Sequence, residues 1–181
     1  IADNGWTKKD KSSLKKNAKK YSNVRIKYFK SSSKLIKILN KPTFKKDKIT
    51  DFTVFSHGLV GKLALGYDYS YDSSKSNKLD FKIKHISKVK KSSFNYPRSI
   101  FYACNIATNT SAVKNFAKRW SKRFWSTTTA YKGKTDYAYI RNTTWLDYIA
   151  DLGIRPARNY PVACPDAKKK TYKKEVIRPT R

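Results

Sequence analysis

His57 and Cys104 are the two residues of this chain whose chemistry and positions best suit covalent catalysis. Each directly follows a short, largely apolar run: FTVFS precedes the histidine and SIFYA precedes the cysteine. A thiol with an imidazole beside it can be held as a thiolate, which is the reactive form of a cysteine nucleophile. The two residues therefore predict a Cys-His dyad, provided that the fold brings them together.

The elements before these residues predict how they meet. Both runs are typical of buried strands, since a parallel strand inside a sheet is apolar on both faces. Such strands alternate along the chain with amphipathic segments, of which residues 111–124 give the clearest helical pattern. The other elements predicted are a strand over residues 24–29, a serine-capped helix over 31–40, a short strand of a hairpin or flap between Gly61 and Gly66, and a helix over 81–89. The alternation predicts an α/β fold with a mainly parallel central sheet covered by helices. Right-handed crossovers then place His57 and Cys104 at one edge of that sheet.

The composition divides the chain into a core region and two basic ends. A length of 181 residues suits one folded domain. We expect a basic N-terminal arm over residues 1–22, an α/β domain over 23–153, and an irregular, basic, Pro-containing tail over 154–181. Met is absent and residue 1 is Ile, so we expect a piece of a longer protein.

The charge of this chain is its second outstanding property. Lys and Arg number 42 against 12 Asp and Glu, which gives a formal net charge of +30. A field of this sign attracts nucleic acid, anionic surfaces or an acidic protein. The alternative function is therefore a nucleic-acid-directed toxin or binding domain, in which tyrosines among the lysines would stack on bases. The tyrosines considered for this role are Tyr21, Tyr28, Tyr131 and Tyr172.

The cysteines and histidines are too few for a Cys/His zinc site. There is no CxxC motif, and the chain has two cysteines and two histidines. Cys104 and Cys164 form one disulfide, or one nucleophile and a bystander, or two buried thiols; the sequence leaves the three open. We expect no metal and no cofactor, because acyl transfer by a Cys-His dyad needs neither. No run approaches the ~18 apolar residues of a membrane span, so no transmembrane segment is expected.

Two segments resemble a known group of enzymes. Residues 55–66 (FSHGLVGKLALG) and 101–107 (FYACNIA) look like the caspase-like cysteine peptidases, which include caspases, legumains, gingipains and self-cleaving toxin domains. The pattern is closest to a bacterial branch with S-H-G-x-x-G-x-L-x-L-G followed by a strand ending in G-C-N-x-A. Ala103 stands where that branch often has Gly. The separation of 47 residues between His57 and Cys104 is close to the ~50 seen in such peptidases.

The resemblance, which spans about residues 49–140, implies a fold and a set of roles. The fold would be a three-layer α/β sandwich, with Cys104 as nucleophile and His57 as general base. The backbone N–H groups of Gly58 and Cys104 would form the oxyanion hole. Because the bacterial relatives occur inside large surface or secreted proteins, the resemblance implies a toxin or effector domain that is secreted or delivered into a target cell.

The partners follow from these alternatives. An active enzyme would act on a protein or peptide, whereas a catalytically silent copy would be an interaction domain. In either case the charge suits an acidic immunity or inhibitor protein. Asp68 and Asp72, in the loop after the histidine, are candidates for a pocket that binds a basic P1 side chain, although aspartates in such loops are more often solvated or turn-forming. The many lysines would suit an acidic P1 residue, with no better support.

Overall fold

The structure, a computed structural model, describes residues 1–3, 8–18, 24–41, 48–66, 78–111, 113, 115–133 and 172–180. The helices are α1 (Lys8–Ala18), α2 (Ser32–Asn40), α3 (Ile83–Ile86) and α4 (Phe116–Phe124), with a 3₁₀ turn at Lys91–Ser93. The strands are β1 (Ile49–Phe55), β2 (Gly58–Leu59), β3 (Lys62–Leu63), β4 (Phe81–Lys82), β5 (Phe94–Tyr102), β6 (Thr127–Gly133) and β7 (Tyr172–Ile177).

Four of the described strands form the central sheet, in the order β1-β5-β6-β7. β1, β5 and β6 run parallel, and β7 is antiparallel to β6. The predicted α/β fold with a mainly parallel sheet is therefore confirmed. The prediction of an irregular C-terminal tail is wrong for Tyr172–Ile177, because these residues pair with β6 along their whole length. A strand at the end of the sheet order tolerates charged side chains. Because β7 contains lysines, it lacks the apolar run by which a strand is predicted from sequence.

An aromatic cluster packs α4 against β1 and β5. The indole of Trp120, which is 1% exposed, stacks on Phe52 at 5.1 Å and meets Phe101 edge-on at 5.3 Å. Phe116 and Phe124 lie one turn to either side of Trp120 and contact its ring. Residues four apart share a helix face, so this stripe buries one side of α4 completely. The two strands that lead to His57 and Cys104 are thereby held from one face.

α4 begins at Phe116, five residues later than the pattern over 111–124 predicts. The reason is Asn115, whose side-chain oxygen accepts a hydrogen bond from the Lys118 N–H at 3.0 Å and so caps the helix. Its amide nitrogen donates to the Ala107 carbonyl at 2.6 Å. Asn115 thus starts the helix and ties it to the loop after Cys104.

The N-terminal residues also contact the central sheet. Ala2 forms a parallel bridge with Phe29, and its N–H donates to the Phe55 carbonyl at 2.8 Å. The strand predicted over residues 24–29 is reduced to this bridge, and Val24 is 48% exposed. α2 begins as predicted, since Ser31 caps it with its hydroxyl.

β2, β3 and β4 form a small antiparallel sheet directly after His57. The hairpin predicted around Gly61 is confirmed, and the φ of +76° at this residue lies in the left-handed region that glycine favours. The helix predicted over residues 81–89 is shorter, because Phe81 and Lys82 pair with β3 before α3 begins.

Candidate active site

The pairing of β1 with β5 brings His57 and Cys104 to the same edge of the sheet. Phe55 is the register partner of Tyr102. The Ser56 N–H donates to the Tyr102 carbonyl at 3.2 Å, so the pairing continues past the end of β1. His57 and Cys104 each lie two residues beyond that last register pair. The two residues therefore occupy equivalent positions on neighbouring parallel strands.

Gly58 packs directly against the backbone of Cys104. A Cβ atom at Gly58 would overlap the Cys104 carbonyl oxygen, and it would lie 2.8 Å from the Cys104 nitrogen and 2.9 Å from Ala103 Cβ. Only a glycine can stand at this position without moving one of the two loops. The segment after the histidine and the segment bearing the cysteine are thus in van der Waals contact.

Cys104 begins a tight turn that is anchored to β6. Asn105 adopts a left-handed φ of 57°, and its N–H donates to the Gly133 carbonyl at 2.9 Å. The Ala107 N–H donates to the Tyr131 carbonyl at 3.0 Å. The Cys104 side chain is half-buried and takes part in no disulfide within the described part of the chain. The turn therefore fixes the backbone on the C-terminal side of the thiol.

His57 is held through its backbone. Its carbonyl accepts hydrogen bonds from the Ala64 N–H at 2.9 Å and from the Ser56 hydroxyl at 2.8 Å. The Ala64 bond makes Gly58 and Leu63 a non-hydrogen-bonded pair of the hairpin, so the β2–β3 ladder does not use the Gly58 N–H. The histidine side chain is half-buried. The backbone of His57 is therefore fixed at the same edge of the sheet as Cys104.

A buried ion pair braces the hairpin after His57. Asp80, which is 0% exposed, accepts from the Lys62 ammonium at 2.6 Å and from the Gly66 N–H at 3.3 Å. Burying a carboxylate is costly unless it is paired and hydrogen-bonded, so Asp80 acts as a specific brace. Sequence reasoning missed this residue. The available signal was a carboxylate immediately before an apolar aromatic, in a chain with few acids.

His85, the other histidine, makes contacts that stabilise the local fold. Its Nδ1 accepts a hydrogen bond from the Lys82 N–H at 3.1 Å, and its ring lies 5.8 Å from that of Phe81. Burial lowers the pKa of His85, and the charges of Lys88 and Lys84 lower it further. This histidine therefore accepts a backbone hydrogen bond in its neutral form.

The remaining predicted residues divide between described and undescribed parts of the chain. Asp68, Asp72 and Cys164 lie outside the described residues. Within the described ranges, no group of three or more His, Cys, Asp or Glu is arranged to hold a metal ion.

The tyrosines of the nucleic-acid hypothesis are placed unevenly. Tyr131 is 1% exposed and its ring stacks on Tyr102 at 6.2 Å, so the prediction that it stacks on bases is wrong. The Tyr28 hydroxyl donates to the Lys11 carbonyl at 3.5 Å. Tyr172 stands in β7, and Tyr21 lies outside the described residues.

None of the helices in the described ranges has the length and apolar character needed to cross a bilayer. No family model, curated protein or solved structure matches the chain.

Proposed function

We propose that this chain is a cysteine endopeptidase of the caspase-like kind, with Cys104 as nucleophile and His57 as general base. The observation that carries the proposal is the contact between Gly58 and the Cys104 backbone, which sets the residue after the histidine against the cysteine. The parallel β1–β5 pair and the aromatic cluster beneath it support a rigid site. The three-layer sandwich and the motif resemblance belong to the same proposal.

The proposed reaction is acyl transfer through a thioester. His57 takes the proton of the Cys104 thiol, and Sγ attacks the carbonyl carbon of the scissile peptide. The backbone N–H groups of Gly58 and Cys104 stabilise the oxyanion. The imidazolium then protonates the leaving amine as the C–N bond breaks. Water adds to the thioester, the thiol leaves with a proton, and the new carboxylic acid departs.

The biological role in this proposal is that of a bacterial toxin or effector domain, secreted or delivered into a target cell and acting on a protein or peptide. The resemblance of residues 55–66 and 101–107 supports this role. An acidic immunity or inhibitor protein would match its charge of +30. Asp68 and Asp72 remain the candidates for a pocket that binds a basic P1 side chain.

The first test is the rate at which iodoacetamide alkylates Cys104 between about pH 5 and pH 9, read by peptide mass spectrometry. An activated thiol labels faster at acidic pH than an ordinary cysteine does. His57→Ala should slow labelling at pH 6 by at least about tenfold. The chain supplies two controls: labelling of Cys164, the second cysteine of the same molecule, is followed in parallel, and His85→Ala removes the other histidine.

The second test is cleavage of a peptide library, in which His57→Ala and Cys104→Ala should each lower hydrolysis by about a thousandfold or more. His85→Ala should retain activity in any sample that remains folded. Labelling of Cys104 that is indifferent to His57, together with no cleaved peptide, would contradict the proposal. The chain would then be a catalytically silent interaction domain.

A further inference from the structure

A cleft of about 440 Å³ lies along the outer side of α4, away from its aromatic stripe. One wall is the exposed surface of α4, and the other is formed by the residues that end and follow β7. The lining residues include Lys118, Arg119 and Lys122 from the helix, and Ile177, Arg178 and Pro179 from the opposite wall.

The cleft concentrates positive charge that no described carboxylate neutralises. Lys118, Arg119, Lys122 and Arg178 are all exposed, and none of them forms an ion pair within the described ranges. The first turn of α4 has no acidic residue, and its cap, Asn115, is neutral. The positive end of the helix dipole therefore adds to the field of the side chains. An anionic ligand would relieve the mutual repulsion of these four cations.

The shape and lining of the cleft favour one class of polyanion. A nucleic-acid duplex would contact a concave site of this volume only through its phosphate backbone, which offers no apolar group to the lining, and single strands are usually held by bases stacked on aromatic rings. Among the residues that the structure describes, no aromatic side chain lines the cleft. Ile177 and Pro179 instead offer apolar contact between the cationic groups, as an amphipathic polypeptide would require.

The spacing of the cations suits an extended peptide. Lys118 and Lys122 lie one helical turn apart, and residues four apart on a helix are separated by about 6 Å. Alternate residues of an extended strand lie about 6.6 Å apart, at 3.3 Å per residue. We propose that the α4 cleft binds an extended acidic segment of a partner protein, with carboxylates at alternate positions. This proposal does not depend on peptidase activity, since the cleft contains neither His57 nor Cys104.

The test is fluorescence anisotropy with a labelled twelve-residue peptide of alternating Glu and Val, at about 150 mM NaCl. The double variant Lys118→Gln/Lys122→Gln should raise the Kd at least about tenfold. Arg178→Gln, from the opposite wall, should raise it about threefold or more. The matched control is Lys34→Gln/Lys37→Gln on α2, which removes the same charge from exposed positions outside the cleft. This control should change the Kd by less than about threefold.

Circular dichroism and thermal melting establish that each variant is folded. If the Lys118→Gln/Lys122→Gln variant does not fold, Arg178→Gln still tests the cleft from its opposite wall. Equal losses in the α4 and α2 variants would overturn the proposal, because the attraction would then be a diffuse effect of net charge. A single-stranded or duplex oligonucleotide of equal charge should bind with no dependence on the cleft. Tighter oligonucleotide binding that the α4 variants abolish would also overturn the proposal, by assigning the cleft to nucleic acid.

Discussion

The edge of the sheet that bears Cys104 and the cleft on α4 are formed by different kinds of interaction. The edge is defined by backbone contacts, a buried ion pair and a glycine against which another loop packs. The cleft is defined by exposed cations on a helix whose opposite side is buried in aromatic rings. Substitutions at the edge should therefore cost folding stability. Substitutions in the cleft should cost binding and leave the fold intact.

The largest expected effect is that of Asp80→Ala at the edge. Removing this carboxylate leaves the Lys62 ammonium, which is 16% exposed, without its buried partner, and should cost about 3 kcal/mol of unfolding free energy. Urea denaturation measures the loss. The matched control is Asp51→Ala, because the Asp51–Arg98 pair is exposed by 59% and 71%. It should cost less than about 1 kcal/mol. Equal losses would mean that the brace at Asp80 is no stronger than a surface pair.

Gly58→Ala should cost about 2 kcal/mol, because its methyl group overlaps the Cys104 carbonyl. The residual folded protein should show an altered iodoacetamide rate at Cys104, since the loops must separate. Gly61→Ala is the comparison. It is also destabilised, by its φ of +76° and by overlap with Val113, yet it should leave Cys104 labelling unchanged. Normal labelling in Gly58→Ala would refute the close contact.

Peptide binding at the cleft and alkylation at Cys104 should differ in their dependence on ionic strength, which can be measured without any mutation. Binding of the acidic peptide should weaken by about tenfold or more between about 50 and 500 mM NaCl, because exposed charges are screened over this range. Alkylation of Cys104 by neutral iodoacetamide should change less than about twofold, since no long-range charge attraction brings the reagent to the thiol. Parallel anisotropy and labelling series check both. Salt-independent peptide binding would show that the cleft does not act through charge.

Asn105 offers a smaller test of backbone geometry at the edge. Its φ of 57° is tolerated by Asn and Gly, so Asn105→Ala should cost about 1 kcal/mol. Asn105→Gly should change the stability by only a few tenths of a kcal/mol. Thermal melting of the two variants distinguishes them. An Ala variant as stable as the Gly variant would contradict a left-handed turn after Cys104.

The smallest effect expected is a pH dependence from His85. Its pKa is lowered in the folded state, so below the ordinary value of 6.5 the unfolded chain binds a proton that the folded chain resists. The stability that this histidine contributes is therefore present above pH 6.5 and is lost as the pH falls below that value. His85→Gln should flatten this part of the stability profile, measured by urea denaturation from about pH 7.5 to pH 5. An unchanged slope would exclude His85 as its source.

Short-range patterns of apolar residues in the sequence predicted several elements correctly. The run before His57 and the stripe along α4 gave a strand and a helix, and alternation gave the parallel sheet. The ends of helices were less predictable where a side-chain hydrogen bond to the backbone set the first residue. Asn115 caps the N-terminus of α4, so the helix begins five residues later than the apolar period over 111–124 predicts. β7 went unpredicted because an outer strand needs little apolar sequence.

The sequence by itself determined that an imidazole and a thiol each follow a strand, because both runs are largely apolar. The prediction that both strands are buried is wrong for β1, in which Val54 is buried and Thr50, Asp51 and Thr53 are exposed. Only the tertiary structure decided that Gly58 packs against Cys104, that Asp80 braces the hairpin and that four cations share one cleft. These contacts join segments far apart in the chain. They depend on strand register and helix placement, which local patterns do not specify.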